Sequence, residues 1–460
     1  MDNKNMERQF DVVALGELLV DFTENGTSGQ GNPLFEANPG GAPCNVLAML
    51  SKMGCKTAFI GKVGKDFFGE QLKSAITEAG INARGLRMDW EVHTTLAMVH
   101  TYPGGDRDFS FYRSPGADMM LREDELDGKM LEDTKIFHFG TLSMTDPEVR
   151  EATKKAVRIA KESGALISFD PNLRPPLWKS LDEAKEQTAY GLSQCDILKI
   201  SDNEIQWFTG EIEFDAGIRR LKEQYHIPLI LLSMGKDGSR AYYRDLCVEG
   251  RPFLQENTIE MTGAGDTFGA CCLYHILQYG LENLDEQRLT RMLTFANAAA
   301  SIITTRKGAL RVMPSREEVE ALVMDRGGNI DELLQTKEIE MVSEKQILQL
   351  QESNSPLINC YEDIVVYSSY MDSPLINRLA EKYMDTITQF EQIFYLLDYF
   401  TQETLQKLCL YHKEKIAEDT DLSPLLGRIS SDSFSALYES KQGRQNSYSR
   451  DILVSENQNL

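Results

Sequence analysis

Thr262-Gly263-Ala264-Gly265-Asp266 opens a run that continues over 267–279 and stops at Gly280. The run reads as a helix with a glycine at its end. The small residues before it let a backbone approach a ligand closely, and their amides lie where the helix begins. Unsatisfied N–H groups and the positive end of a helix dipole suit a phosphate there. Gly269 and Ala270 keep the first turn slim. Asp266 stands beside this anion hole, where a carboxylate can take a proton from an attacking hydroxyl. The plainer alternative is an Asp cap after an ordinary Gly-rich turn. A P-loop is excluded, because the Gly-Lys pairs at 61, 64, 128 and 235 are followed by Val63, Asp66, Met130 and Asp237, not by Ser or Thr. The segment also lacks the Gly-x-Gly-x-x-Gly of a dinucleotide fold.

Outward from this segment, short apolar runs at 10–15, 57–60, 136–139, 166–169, 197–200 and 227–232 read as strands. Helical stretches at 42–52, 68–79 and 147–162 lie between several of them. Strands alternating with helices predict an α/β fold with a parallel sheet covered on both faces. Two strand-like stretches, 94–102 and 108–113, flank Pro103-Gly104-Gly105 and read as an antiparallel hairpin. With 18–22 they predict a small sheet serving as a lid over a cleft.

Composition narrows the classes. Of 460 residues, 42% are apolar and 26% charged, as in a globular protein and unlike a disordered chain. At roughly 150 residues per domain there is room for about three. No apolar run approaches the ~18 residues of a membrane span. The polar start MDNKNMERQF has no secretory apolar region, so a cytoplasmic location and no membrane contact are expected. With 71 acidic and 48 basic residues the net charge is -23, which repels nucleic acid at long range. The cysteines at 44, 55, 195, 247, 271, 272, 360 and 409 form no Cys-x-x-Cys, and the histidines do not cluster with them. Small buried thiols are expected rather than zinc or disulfides.

Gly263-Ala264-Gly265-Asp266 resembles the C-terminal hallmark of the ribokinase-like (PfkB) family of sugar kinases. Asn38-Pro39-Gly40-Gly41-Ala42-Pro43-Cys44-Asn45-Val46, followed by Gly61-Lys62-Val63-Gly64-Lys65-Asp66-Phe67-Phe68-Gly69, resembles the N-terminal hallmark. The two lie in the right order, about 220 residues apart, and the resemblance covers nearly all of 9–320. Within the family, Gly16-Glu17-Leu18-Leu19-Val20-Asp21-Phe22, Phe111-Tyr112-Arg113-Ser114-Pro115-Gly116-Ala117-Asp118 and Asp170-Pro171-Asn172-Leu173-Arg174-Pro175-Pro176-Leu177-Trp178 are most similar to fructokinases.

The resemblance implies a ribokinase-like three-layer αβα core over 1–324, with a β-sheet lid from about 17–37 and 93–114. It implies ATP-dependent phosphorylation of the 6-hydroxyl of D-fructose to fructose 6-phosphate. The alternatives are a kinase for another sugar or sugar acid, such as 2-keto-3-deoxygluconate, and a non-catalytic sugar sensor with a partner-binding tail. Asp266 matches the catalytic base, and the Gly263-Ala264-Gly265 turn, with the amides of Ala264, Gly265 and Asp266, matches the anion hole. Asp21 matches the carboxylate that grips sugar hydroxyls, and Gly40, Gly41 and Asn45 the sugar-binding turn. Arg113 is expected to project from the lid hairpin into the cleft. Asn172 and Arg174 follow a strand end, and Arg174 suits a bidentate pair with phosphate oxygens. Ser233, Gly235 and Gly238 resemble the nucleotide-binding turn, and Asn297 would flank the adenine.

Read without the family, these residues are a turn Asp, a tight turn, a surface Arg, a hairpin and a buried core Asn. ATP and magnesium are the implied cofactors. Glu204, in Ser201-x-x-Glu204, stands where the family often has Asn-x-x-Glu near the metal. Glu260-Met261-Thr262 replaces a common Asp-Thr-Thr run beside the Lys307-Gly308 loop, which puts potassium activation in doubt.

Beyond Asp325 the character changes. Residues 325–426 read as a helical extension, and 427–460 as a polar tail of disordered composition. Ser355-Pro-Leu-Ile-Asn359 recurs as Ser373-Pro-Leu-Ile-Asn377, with an echo at Ser423-Pro-Leu-Leu426. Ser followed by Pro makes a good helix start. Helices are predicted over 374–399 and 402–417. Ile376, Leu379, Tyr383, Ile387, Phe390, Phe394 and Leu397 form an apolar stripe that packs on a neighbouring helix or on the kinase. The alternative is an oligomerisation surface, as of a homodimer, or a partner-binding module.

Overall fold

Val12 and Ala14 of β1 (Phe10–Leu15) enter one apolar cluster, and Val13 and Leu15 enter another. A strand buried on both faces belongs in the middle of a sheet covered on both sides. The computed structural model describes residues 8–101, 107–325, 361, 364, 373–397, 399–416, 422–425, 428–430 and 433–437. It divides into two compact units, Met1–Leu333 and Leu334–Leu460.

In the first unit the chain continues through β2 (Leu19–Thr27), β3 (Pro33–Gly40), α1 (Ala42–Lys52), β4 (Thr57–Gly64), α2 (Phe67–Glu78), β5 (Asn82–Asp89), β6 (Leu96–Thr101) and β7 (Arg107–Tyr112). Then come α3 (Gly128–Glu132), β8 (Thr134–Gly140), α4 (Pro147–Glu162), β9 (Leu166–Asp170), α5 (Leu181–Gln194) and β10 (Ile197–Ser201). The unit closes with α6 (Asp202–Thr209), α7 (Phe214–Tyr225), β11 (Leu229–Ser233), β12 (Ser239–Tyr243), β13 (Leu246–Gly250), α8 (Ala264–Tyr279), α9 (Glu286–Ile303) and α10 (Arg316–Asp325).

Nine strands form one sheet in the order β13-β12-β11-β10-β9-β8-β1-β4-β5. It is parallel from β11 to β5, and β12 and β13 extend it antiparallel. Helices α1, α2, α8, α9 and α10 build the apolar cluster on one face, and α3 to α7 the cluster on the other. This is the three-layer αβα arrangement. A second sheet runs β3-β2-β6-β7, with β6 and β7 antiparallel, so the hairpin and the 18–22 segment do meet in one small sheet. Strand β5 lies outside the expected strands, and β3 is anticipated only through the lid at 17–37. Most of β3 is exposed, and β5 is an edge strand of mixed polarity, so neither carries an apolar run.

In the second unit, helices Ser373–Lys382 and Gln402–Tyr411 surround a core of their own. Ile376, Leu379, Ile387 and Phe390 pack there with Leu405, Leu408 and Cys409. The stripe is therefore internal to this unit. The single helix expected over 374–399 is instead a helix ending at Lys382 followed by 3-10 turns at Met384–Thr386 and Phe390–Leu396. Asn377 ties the unit together, donating to the Tyr399 carbonyl and accepting from the Thr401 amide, each at 2.9 Å. The repeat at 355–359 and the tail from 438 lie outside the described residues.

Candidate active site

Gly263 stands at the N-cap of α8 with φ 76° and offers no side chain to the first-turn amides. A side chain there would also strike Ala309, since an added Cβ lies 2.7 Å from the Ala309 Cβ. The Ala264 amide donates to the Met261 carbonyl at 3.3 Å and closes the preceding turn. The next two amides, of Gly265 and Asp266, therefore face outward at the positive end of a helix running to Tyr279. An anion is the natural occupant of such a place.

The partly buried Asp266 carboxylate accepts a hydrogen bond from Asn45 Nδ2 at 2.8 Å. Burial raises its pKa above the ordinary value, and the Asn45 hydrogen bond, Lys199 and Arg174 work against that rise. Asn45 is buried in α1, and its Oδ1 has no hydrogen-bond partner among the described residues. Helix α1 packs on α8, so two motifs distant in sequence meet through this amide.

The turn before α1 is just as tightly built. Gly41 has φ 119°, and a Cβ on it would lie 2.4 Å from the Glu17 carbonyl oxygen. The β2–β3 register sets Asp21 opposite Asn38. The Asp21 carboxylate lies over Gly40, where an added Cβ would come within 2.1 Å of Oδ2. Beneath the turn, Glu17 is buried and its Oε1 accepts the Ala42 amide at 2.9 Å. Burial pushes the Glu17 pKa up to about 7.

Beside the first turns of α8 lies a cavity of about 650 Å³. Its walls include Ala264 and Gly265, Asn172 and Arg174 after β9, Glu204, the Ser233, Gly235 and Gly238 turn, and Asn297 of α9. Phe253, Leu254, Met261 and Phe268 give it an apolar portion. Asn172 holds φ 43° with its amide on Asp170 Oδ1 at 3.2 Å. Asn297 donates to the Arg251 carbonyl at 3.0 Å, so it is both a hydrogen-bonded core residue and part of the wall. The segment from Ser233 to Gly238 is the turn of the β11–β12 hairpin and lines the cavity as well.

Lys199, in the middle of β10, is the functional candidate that sequence reasoning passes over. Its Nζ pairs with Asp170 Oδ2 at 2.9 Å and lines the cavity beside Gly265. Burial alone would lower its pKa, but Asp170, Glu204 and Asp266 more than offset this and keep it charged. Asp170 opens the Asp170-Pro171-Asn172 motif but is given no role from the sequence, and burial raises its pKa to about 6. The available signal is a lysine within an otherwise apolar strand.

Glu204 forms a capping box with Ser201. Its Oε2 accepts the Ser201 amide and hydroxyl at 2.9 and 2.8 Å, and Oε1 accepts the Leu173 amide at 2.8 Å. Burial works to raise this carboxyl, and Lys199 with those donors outweighs it, holding it below the usual range. No group of three metal-ligating side chains occurs among the described residues. The Glu204 carboxylate in the cavity wall suits a divalent ion that keeps most of its water, as magnesium does. Glu260 is buried and accepts the Gly308 amide at 2.6 Å, joining the segment before the anion hole to the Lys307-Gly308 loop.

The expectation that Arg113 projects into the cleft is not met. Arg113 is buried, with Nε donating to Asp118 Oδ2 at 2.7 Å, Nη1 to Thr145 and Nη2 to the Leu142 carbonyl, each at 2.9 Å. An ion pair with Asp118, five residues on, turns it inward to anchor the lid.

A model of the pfkB family carbohydrate kinases matches residues 9–316. A probable fructokinase-4 of Arabidopsis thaliana is 38% identical over 314 residues, 68% of this chain and 96% of that protein. Fructokinase-2 of Solanum lycopersicum is 38% identical, covering 69% of this chain and 96% of its own length. The crystal structure of a Xylella fastidiosa fructokinase with bound ATP superposes with a TM-score of 0.63 at 30% identity, over 69% of this chain and 99% of that one. Among the described residues no helix is long and apolar enough to cross a membrane.

Proposed function

Given that the chain belongs to the pfkB family of carbohydrate kinases, we propose that it is an ATP-dependent fructokinase that phosphorylates the 6-hydroxyl of D-fructose. The observation that carries the reading is the 2.8 Å hydrogen bond from Asn45 to Asp266. It sets the turn at Gly40-Gly41 next to a carboxylate at the mouth of an anion-binding helix.

In this reading Asp21 and Asn45 hold sugar hydroxyls, and the orphaned Asn45 Oδ1 accepts one of them. Asp266 takes the proton from the attacking 6-hydroxyl. Its raised pKa makes it a stronger base than an exposed aspartate. The amides of Gly265 and Asp266 receive the charge that develops on the transferred phosphoryl group. ATP lies in the cavity, with Arg174 and Asn172 on the phosphate side, and with the hairpin turn at Ser233, Gly235 and Gly238 and Asn297 toward the base. The lid excludes water that would otherwise accept the phosphoryl group.

Magnesium, when bound with the nucleotide, neutralises phosphate charge, and Glu204 would face its waters. The Glu260–Gly308 hydrogen bond joins the two segments, and this reading assigns potassium no role. Arg113 acts only as a support for the lid.

The test is ADP release from Mg–ATP across fructose, glucose, ribose, adenosine and 2-keto-3-deoxygluconate. Fructose is expected to turn over fastest. Asp266→Asn is expected to cut kcat by about 10²- to 10⁴-fold with sugar binding largely kept. Faster turnover of another acceptor would overturn the fructose assignment. Near-normal kcat in D266N would overturn the mechanism.

A further inference from the structure

We infer that Lys199 is a catalytic residue, whose ammonium contacts the phosphoryl group in flight above the first turn of α8. The inference rests on the sugar-kinase reading of the cavity. Lys199 lies against the first turn of α8. Lys199 Nζ sits 3.1 Å from where a Cβ on Gly265 would lie, beside the positive end of an α-helix. A cation there is repelled by the helix dipole. Asp170, at 2.9 Å, offsets that cost together with Glu204 and Asp266. The ammonium and the outward-facing amides of Gly265 and Asp266 thus border one space, and an anion lying between them is stabilised by both.

Two further observations agree. Lys199 shares the cavity wall with Arg174 and Gly265, so the ammonium has a route to a ligand as well as to Asp170. Glycine at 265 is also explained. A side chain there would meet the ammonium before any phosphate could, so Gly265 keeps the space between Lys199 and the helix amides clear. The side chain of Lys199 is 12% exposed, and the neighbouring carboxylates keep it protonated, so it serves as a fixed positive charge.

The step balances without a proton on Lys199. The sugar oxygen forms its bond to the γ-phosphorus, and its proton passes to Asp266. The bond from the γ-phosphorus to the bridging oxygen breaks, and ADP leaves with the electron pair. Lys199 stabilises charge on the phosphoryl oxygens throughout.

The test uses the full chain with three variants, Lys199→Met, Lys199→Arg and the double variant K199M/D170N, which removes the ion pair as a unit. Affinities for Mg–ATP and Mg–ADP are measured by calorimetry alongside ADP release with fructose. K199M is expected to lose about 10²- to 10³-fold in kcat, as for removal of one oxyanion donor. Its ATP affinity should fall about tenfold, while ADP affinity stays within about threefold. The double variant should keep both losses, and K199R should recover part of the ATP affinity. Recovery of kcat in the double variant would reduce Lys199 to a counterion of Asp170 and overturn the inference. Equal losses for ATP and ADP would overturn it too. If the wild type turns over no acceptor, the sugar-kinase reading fails. A selective ATP loss in K199M would still support the placement of Lys199, and its absence would reject it.

Discussion

Glu17 shows what a single buried carboxylate costs. It is 4% exposed and supports the turn before α1 through the Ala42 amide. Its pKa is raised from 4.5 to about 7, chiefly by burial. The folded state therefore binds the proton more tightly than the unfolded chain does. The stability it contributes is fully present below pH 4.5 and is lost as pH rises through about 7. At ~1.4 kcal/mol per unit the loss is on the order of 3 kcal/mol. Glu17→Gln keeps an oxygen for the Ala42 amide and removes the titration. Its Tm is expected to match or trail the wild type at pH 4.5 and to exceed it by several degrees at pH 8, checked by thermal unfolding across that range. A wild-type excess at pH 8 would contradict this sign.

At the same scale, Asp266 and Asn45 are legible in the sequence because their chemistry comes with a glycine-rich frame. Lys199 is not, because one charge within Ile197–Ser201 reads as a strand with an odd residue. Arg113 is misread because an arginine at the end of a lid strand looks free to reach into the cleft until its partner Asp118 folds against it.

Among the elements, those with internal punctuation are read well. Helix α4 matches its expected span because Asp146 caps it through the Glu148 amide and Pro147 starts it. Strand β5 escapes, and β3 is read only as part of the lid, because edge strands of mixed polarity carry no apolar alternation. The expected long helix of the second unit ends at Lys382, and beyond it the Gln392 side chain accepts the amides of Thr388 and Gln389 at 2.7 and 2.9 Å and starts a separate turn at Phe390. Its apolar spacing survives, because 3-10 turns also bring residues three apart to one side.

The turn between β3 and α1 offers a sharper test of local geometry. Gly41 and Gly54 both have positive φ, 119° and 83°. Only Gly41 has backbone in the way, the Glu17 carbonyl. Gly54→Ala should cost about 1 kcal/mol from strain alone. Gly41→Ala should cost roughly 2 kcal/mol more and raise KM for sugar, because the turn must move. Urea unfolding with sugar kinetics on both variants separates strain from displacement. Equal costs would show that the Glu17 carbonyl yields freely.

For the whole molecule, the decisive feature is that each unit has its own apolar core. The first unit is built around its nine-stranded sheet. The second gathers its residues from Tyr361 to Leu437 into a separate cluster. All the residues assigned to sugar, nucleotide and proton transfer lie in Met1–Leu333. Separate cores predict separate cooperativity. Calorimetry of the full chain should show two transitions, of which a ligand that binds the first unit shifts only one. Mg–ADP is the probe. A chain of residues 1–333 should keep the ligand-sensitive transition and turn over fructose within about threefold of the full chain. It should also keep the oligomeric state of the full chain, because the apolar stripe of the second unit is spent on its own core. A single merged transition, or a 1–333 chain that loses turnover while the full chain retains it, would show that the kinase unit draws stability from residues beyond 333. A drop in oligomeric state on truncation would instead return residues 334–460 to the role of an assembly surface.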